Sequence, residues 1–154
     1  MLTKKESYNV AVVGATGIVG ESLLEILYSR RFPISSIHAV ASKKSKGSKA
    51  KFGDQLLTVE SLDEFNFTDI DIAFFSAGSS VSKEYATKAT TQGCIVIDNT
   101  SEFRYEQDIP LVVPEVNPQD IDLYKHKNII ANPNCSTIQL SLIHISEPTR
   151  QASI

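Results

Sequence analysis

One cysteine of this chain lies where a reactive thiol is useful. Cys135 lies in ANPNCSTIQL, between a predicted strand and the start of a predicted helix that Ser136 and Thr137 could cap. The thiolate is the reactive form of cysteine, and a helix N-terminus favours the anion. The turn is compatible with a nucleophile, but also with a buried cysteine behaving as a small apolar side chain, which is the commoner case. Cys94, in GCIVID, is predicted to be such a buried residue.

A glycine turn near the N-terminus suggests a second kind of chemistry. The stretch VAVVGATGIVGES places Gly14, Gly17 and Gly20 between a predicted strand and a predicted helix. In this GxxGxxG pattern the first glycine allows a tight turn, the second lets the backbone approach a pyrophosphate, and the third lets helix and strand pack closely. The helix N-terminus then presents free N–H groups to phosphates. The pattern predicts a dinucleotide site.

The end of the second predicted strand bears on which dinucleotide binds. Sites selective for NAD carry an acidic residue about 20 residues beyond the glycines, where it holds the ribose 2′-hydroxyl. Here the strand ends in AVASKKSKGSK, so Ser42, Lys43, Lys44 and Ser45 lie in reach instead. Lysines and hydroxyls would receive a 2′-phosphate, which favours NADP(H). The alternative is an ordinary solvated basic loop.

The candidates for binding substrate and transferring protons are Arg104 and three histidines. Arg104 follows a strand end and could bind a phosphate or carboxylate with two parallel hydrogen bonds, or be a plain surface arginine. Acyl-transfer chemistry at a thiol also needs an acid or base nearby. Of the histidines, His38 lies mid-strand, His126 ends a polar segment, and His144 lies near the C-terminus. None of them is a convincing partner for Cys135.

The elements that must position these residues follow from the apolar pattern. Short β-rich runs alternate with longer amphipathic runs, which predicts a doubly wound α/β fold with a mostly parallel sheet. Predicted strands cover 8–14, 34–42, 71–78, 94–101 and 128–134, and predicted helices cover 17–31, 80–93 and 118–126. Between them, 43–62 is a basic excursion with room for one or two short edge strands, and 109–118 is extended.

Composition narrows the class of protein. The chain has 154 residues, 42% of them hydrophobic and 21% charged, and a net charge of −3. These values fit one globular domain and give no reason to expect nucleic acid or a membrane as the main partner. There is no apolar run of roughly 18 residues and no signal-peptide cleavage site, so a cytoplasmic location is expected. Two cysteines make no disulfide framework, and no metal site is predicted.

Six motifs in order resemble aspartate-semialdehyde dehydrogenases over residues 8–140: VGATGIVG, ASKKSKG, FFSAG, VIDNTSEFR, PLVVPEVN and NPNCSTIQ. The resemblance implies a Rossmann-like NADP-binding domain. It also implies an enzyme that reductively dephosphorylates aspartyl-4-phosphate with NADPH, giving aspartate semialdehyde and phosphate for lysine, threonine and methionine synthesis. By the same resemblance, the parent enzyme is a homodimer or homotetramer.

The resemblance also implies roles for single residues. Cys135 would be the acyl-thioester nucleophile, Asn134 would help position it, and Arg104 would bind the substrate phosphate. The implied cofactor-binding residues are Gly14, Thr16, Gly17, Ile18, Val19, Gly20, Ser42, Lys44, Ser45, Ala77 and Gly78. Two positions depart from the family pattern: Lys44 stands where the family has arginine, and Glu102 stands where it has alanine.

Two alternatives stay open beside this one. N-acetyl-glutamyl-phosphate reductases share the fold, cofactor and cysteine, although their cysteine usually lies in a GCY-like turn. The chain could also be a nucleotide-binding fragment without catalysis, because the family's second domain supplies the acid/base histidine after the cysteine.

The stretch LSLIHISEPTR (140–150) resembles an in-frame translation of a sequencing-library adapter, although it could instead form a genuine divergent helix. We therefore expect a dinucleotide-binding domain over 1–139, truncated before the substrate and dimerisation domain, and a non-native tail over 140–154.

Overall fold

A computed structural model describes residues 4–146 of the chain. In that part the strands are β1 (Tyr8–Val13), β2 (Ile34–Ala41), β3 (Lys49–Phe52), β4 (Gln55–Thr58), β5 (Glu60–Ser61), β6 (Ile72–Phe75), β7 (Ile95–Asp98) and β8 (Ile129–Ala131). The α-helices are α1 (Ile18–Ser29), α2 (Ser79–Thr91) and α3 (Cys135–Ser146). Short 3-10 helices cover Lys43–Ser45 and Leu62–Glu64, and a longer one covers Pro118–His126.

Six of the strands form one parallel sheet in the order β5-β2-β1-β6-β7-β8. The chain first builds outward from β1 to β2 and β5, and then returns to the other side of β1 to add β6, β7 and β8. The predicted doubly wound α/β fold is thereby confirmed. In the part of the chain that the structure describes, no helix combines the length and the apolar character needed to cross a membrane.

Both faces of the central strand are buried from Val10 to Val13, which explains the apolar run VAVV. Val10 and Val12 pack in one core cluster with Leu24 of α1, while Val13 packs in a second cluster with Ala86 of α2. All five side chains are fully buried. Successive side chains of a strand point to opposite faces, so β1 serves both clusters. Each fully buried valine or leucine contributes about 1.5–3 kcal/mol of hydrophobic stabilisation.

The basic excursion after β2 holds more structure than the sequence indicated. β3 and β4 form a separate antiparallel hairpin, and only β5 joins the main sheet, as its edge strand. The hairpin packs against α1, where the rings of Tyr28 and Phe52 meet edge to face at 5.4 Å. The segment at 118–126 is helical as predicted, with 3-10 rather than α geometry.

The last helix bears on the predicted boundary at residue 139. α3 continues past Gln139 to Ser146, so the first residues of the predicted tail are helical. Residues 147–154, which make up the rest of that tail, lie outside the described residues.

Candidate functional site

The strand order creates a cleft at the carboxyl ends of the parallel strands. β1 lies between β2 and β6, and α1 and α2 leave the ends of β1 and β6 to cover opposite faces. In such sheets ligands bind outside the carboxyl ends of the strands, where the strand order reverses. A cleft of about 650 Å³ lies there. Its walls are Val13, Gly14, Thr16, Gly17, Ala41, Ser42, Lys43, Lys44, Leu62, Asp63, Ser76, Ala77, Val81 and Tyr85.

The glycine turn has a shape that side chains would destroy. Gly14 has a φ of +93°, and a Cβ there would lie 2.9 Å from the carbonyl carbon of Ser76. A Cβ on Gly20 would collide with the backbone of Gly14 and Ala15. Gly17, the N-cap of α1, has an ordinary φ, a Cβ there would lie 3.4 Å from the carbonyl oxygen of Gly14, and no side chain caps this helix. The leading N–H groups of α1 therefore remain available to an anion, and this cradle fits the pyrophosphate of a dinucleotide.

A second helix begins at the same cleft. Gly78 is the N-cap of α2, with a φ of +100° that favours glycine, and no side chain caps α2. Ala77, the residue before it, lines the cleft. Two helix N-termini with uncapped N–H groups therefore meet where the sheet order reverses, which favours negative charge there.

The basic loop after β2 forms the opposite wall. Ser42, Lys43 and Lys44 line the cleft, and all three are exposed. The N–H of Ser45 donates to the carbonyl of Ser42 at 2.9 Å and closes a 3-10 turn, but Ser45 does not line the cleft. The lysines thus present two positive charges beside the glycine turn.

The structure brings most, though not all, of the expected cofactor residues together. Those that line the cleft are Gly14, Thr16, Gly17, Ser42, Lys44 and Ala77. Gly20 lies behind the turn and is buried against it, as the packing role of the third glycine requires. Ile18 is 86% exposed and lines the groove between α1 and the β3–β4 hairpin instead. Val19 lines a different cavity, described below.

Asp63 and Tyr85 are among the lining residues that were not expected from the sequence. Tyr85 of α2 donates its hydroxyl hydrogen to Oδ1 of Asp63 at 2.9 Å. That bond, burial and the negative charge of Asp63 raise the pKa of Tyr85 to about 12. Asp63 follows the edge strand β5, and Tyr85 is the seventh residue of α2, so their sequence separation gave no signal that they meet.

The cysteine stands at the start of the last helix. Cys135 is the first residue of α3, and it is exposed. Asn134 caps the helix, because its Oδ1 accepts the N–H of Ser136 at 2.9 Å. The Sγ of Cys135 lies 3.7 Å from the same oxygen. Asn134 therefore both starts the helix and contacts the thiol.

The other cysteine and the mid-strand histidine have unrelated surroundings. Cys94 is fully buried, and burial raises the pKa of its thiol to about 12, so it stays protonated at neutral pH. His38 lies on β2, with Nδ1 2.8 Å from a carboxylate oxygen of Glu60.

Arg104 is fixed between two strand ends. Its Nε donates to the carbonyl of Asn132 at 3.0 Å, and Nη2 donates to the carbonyl of Asn99 at 3.1 Å. The two asparagine side chains are joined at 2.7 Å. These bonds use one edge of the guanidinium, so the end formed by Nη1 and the second N–H of Nη2 can still grip an anion. Asn132 lies three residues before Cys135, which links the arginine to the cysteine turn.

A smaller cavity is lined by residues that neighbour each end of the site. Val19 of the cofactor helix lines a space of about 320 Å³ together with Asn99 and Asn132. The residues that hold Arg104 therefore border the same space as the first turn of α1. This arrangement places the expected cofactor and substrate ends side by side.

A buried polar cluster anchors the loop that carries Arg104. Asp98, at the end of β7, is fully buried and accepts hydroxyl hydrogens from Ser82 and Thr100, each at 2.7 Å. Ser82 belongs to α2 and Thr100 to the Arg104 loop. The carboxylate therefore ties that loop to the helix that lines the cofactor cleft.

Comparison with known proteins identifies this combination. Residues 9–124 match the family described as semialdehyde dehydrogenase, NAD binding domain. The chain belongs to the semialdehyde dehydrogenase family. It is 55% identical over 139 residues to an aspartate-semialdehyde dehydrogenase of Rickettsia typhi, covering 90% of this chain and 40% of that protein.

Solved structures of the family agree. The structure of aspartate semialdehyde dehydrogenase II of Vibrio cholerae, complexed with ASA, matches with a TM-score of 0.87 at 47% identity, over 95% of this chain and 47% of that one. An aspartate semialdehyde dehydrogenase of Candida albicans solved with NADP matches with a TM-score of 0.74 at 29% identity, over 90% of this chain and 47% of that one. The present chain spans about 40% of the length of the curated relative from Rickettsia typhi.

Proposed function

We propose that this chain is the cofactor-binding and nucleophile-bearing part of an NADPH-dependent aspartate-semialdehyde dehydrogenase. The reaction is the reductive dephosphorylation of aspartyl-4-phosphate to aspartate semialdehyde and phosphate. The observation that carries the proposal is the position of Cys135, exposed at the first turn of α3, three residues after the carbonyl that holds Arg104.

The chain supplies groups for the first half of this chemistry. The thiolate of Cys135 attacks the acyl carbon of the substrate. Phosphate leaves as the thioester forms, and the free end of the Arg104 guanidinium neutralises the charge of the departing phosphate. NADPH, which the glycine turn and Lys44 would hold in the cleft, would supply the hydride that reduces the thioester to the level of the aldehyde. Asn134, 3.7 Å from the Sγ atom, keeps the thiol in place between these steps.

The cleft supports a preference for NADP(H) over NAD(H). Lys43 and Lys44 line it, and the acidic residue that usually holds a ribose 2′-hydroxyl does not follow β2. Lys44 keeps the charge of the family's arginine but cannot form the two parallel hydrogen bonds of a guanidinium, so weaker binding of the 2′-phosphate is expected.

Further parts of the proposal concern the parent protein. The relatives are longer than this chain, and we propose that a second domain supplies the acid/base histidine and the contacts of a cytoplasmic homodimer or homotetramer. We also propose that the dinucleotide-binding domain covers 1–139 and that 140–154 is foreign to it. The support for this boundary is the adapter-like stretch at 140–150, and an independent DNA read through codon 139 would test it.

Cofactor preference is tested by calorimetric titration of the chain with NADPH and NADH. NADPH is expected to bind at least about tenfold more tightly, because the lysines pair with its extra phosphate. Lys44→Gln should remove most of that preference. Lys51→Gln, which removes the same charge from the β3–β4 hairpin, should leave it unchanged. Tighter binding of NADH by the unchanged chain would contradict the proposal.

The reaction is tested in a chimera in which residues 1–139 replace the matching part of the Rickettsia typhi relative. NADPH consumption with aspartyl-4-phosphate is expected, and Cys135→Ser should abolish it without changing NADPH affinity. Cys94→Ser is the matched control, because that thiol is buried away from the cleft. A fully active Cys135→Ser chimera would overturn the role of the nucleophile.

A further inference from the structure

At the far end of the cofactor cleft, the side chains of Asp63 and Tyr85 are joined by a hydrogen bond, and the proposed function gives this pair no role. Asp63 and Tyr85 line the cleft together with Leu62 and Val81. Asp63 follows β5, which lies next to β2 at one end of the strand order. Arg104 follows β7 and Cys135 follows β8, at the other end of the sheet. The pair therefore faces the part of a dinucleotide that is remote from the chemistry.

The order of the strands indicates which part that is. With the pyrophosphate at the glycine turn and the 2′-phosphate at Lys44, the base on the same ribose must extend beyond the end of β2. The next strand outward is β5, and Leu62 and Asp63 follow directly after its last residue, Ser61. The walls offered there are apolar and aromatic: Leu62 is 6% exposed, and Val81 and Tyr85 are half-buried. Such walls suit a flat, uncharged ring.

Asp63 is exposed, and contacts on two sides orient it. Tyr85 holds Oδ1 at 2.9 Å, and the next residue, Glu64, pairs with Lys46 at 2.5 Å. In addition, the N–H of Gly47 donates to the carbonyl of Val59 at 2.9 Å. The loop after β2 and the turn after β5 are thereby held against each other. The bond from Tyr85 uses only Oδ1, so Oδ2 can accept a hydrogen bond from a ligand.

We propose that Asp63, positioned by Tyr85, reads the exocyclic amino group of the adenine and makes this cleft selective for an adenine dinucleotide. This inference rests on the proposed binding of NADP(H) and adds a specificity residue to it. An ionised carboxylate is only an acceptor, so it bonds to the 6-amino group of adenine and repels the 6-oxo group of hypoxanthine. A tyrosine hydroxyl is already protonated at neutral pH, and the bond to Asp63, which raises the pKa of Tyr85 to about 12, extends the range over which it donates.

The test compares NADPH with reduced nicotinamide hypoxanthine dinucleotide phosphate, in which a 6-oxo group and an N1–H replace the 6-amino group and the unprotonated N1 of adenine. Titration of the unchanged chain should show about tenfold tighter binding of NADPH, the effect of one charge-assisted hydrogen bond. Asp63→Asn should bring the ratio close to one, because an amide can donate to the oxo group. Tyr85→Phe keeps the ring and should lower the ratio by about threefold, because Asp63 loses the bond that orients it.

A comparison of NADPH with NADH distinguishes recognition of the base by Asp63 from repulsion between Asp63 and the 2′-phosphate. The ratio of NADPH to NADH affinity should stay the same in Asp63→Asn, while Lys44→Gln should change that ratio and leave the base ratio unchanged. Thermal unfolding without ligand shows whether each variant is folded. If Asp63→Asn instead strengthens NADPH relative to NADH and leaves the base ratio alone, Asp63 acts by repelling the 2′-phosphate and the inference is wrong.

The remaining outcomes are also decisive. Equal binding of the two bases by the unchanged chain would overturn the inference and leave the proposed function standing. Failure of the unchanged chain to bind NADPH at all would overturn the proposed cofactor function, and this inference with it.

Discussion

The two ends of the site are built by different means. The cofactor end is made of backbone: Gly14, Gly20 and Gly78 have conformations or contacts that leave no room for a side chain or strongly disfavour one. The cysteine end is made of side chains, since Asn134 caps α3 and Arg104 bonds to two carbonyls. Adding a side chain should therefore disrupt the cofactor end, whereas truncating a side chain should disrupt the cysteine end.

The largest contrast is expected in thiol reactivity, which reports whether the cysteine end is open. Cys135 is exposed, whereas Cys94 is buried with its thiol pKa raised to about 12. At pH 8 iodoacetamide should modify Cys135 on the order of a thousandfold faster, because only a thiolate reacts and Cys94 is almost wholly protonated. Mass spectrometry of tryptic peptides measures both rates. Both thiols should react in guanidinium, and comparable rates in the native chain would show that the assigned burial is wrong.

Adding one methyl group tests the cofactor end. Gly20→Ala should lower the free energy of unfolding by about 3 kcal/mol, because the new Cβ collides with the backbone of Gly14 and Ala15. Helix propensity alone would favour alanine by about 1 kcal/mol, so the sign of the change is informative. Chemical denaturation measures it.

Gly17→Ala is the matched control in the same turn. Its Cβ would lie 3.4 Å from the carbonyl oxygen of Gly14, an ordinary contact. It should cost less than about 1 kcal/mol of stability and weaken NADPH binding instead. Equal stability losses in the two variants would remove the distinction between a packing glycine and a binding glycine.

Deleting a buried acceptor tests the side-chain network of the cysteine end. Asp98→Ala should cost about 2 kcal/mol, because the hydroxyls of Ser82 and Thr100 lose their buried partner. Asp98→Asn keeps an acceptor and should cost about half as much. Urea unfolding separates the two, and a neutral Asp98→Ala would show that the carboxylate anchors nothing.

The smallest effect is expected at the helix cap. Asn134→Ala should cost about 1 kcal/mol, and Asn134→Gly only a few tenths, because glycine is tolerated at an N-cap. Hydrogen exchange at the amides of Ser136 and Ile138 should report the loss directly, as faster exchange confined to the start of α3. Unchanged exchange in Asn134→Ala would mean that another group caps this helix.

The same contrast explains what the sequence could predict. Backbone requirements leave a local signature, so the glycine spacing and the apolar alternation around β1 predicted the turn, the helix and the sheet class. Side-chain networks join distant segments: the Asp63–Tyr85 bond spans 22 residues and the Arg104–Asn132 bond spans 28. No local sequence pattern predicts these two hydrogen bonds, because they form only once the strand order has brought the distant segments together. Asn134 was expected near the thiol, but Ser136 and Thr137 were considered as caps, because side-chain type alone does not show where the first turn begins.

The central position of β1 also affects how the chain is made. β1 is synthesised before both of its neighbours, β2 and β6, and its edge toward β6 has no partner until β6, which begins at Ile72, has been made. At roughly 5–20 residues per second, the edge of an apolar strand stays unpaired for several seconds of synthesis. Such an edge is a template for pairing with another chain. The strand order that creates the cofactor cleft therefore also exposes the nascent protein to aggregation until its sixth strand has been translated.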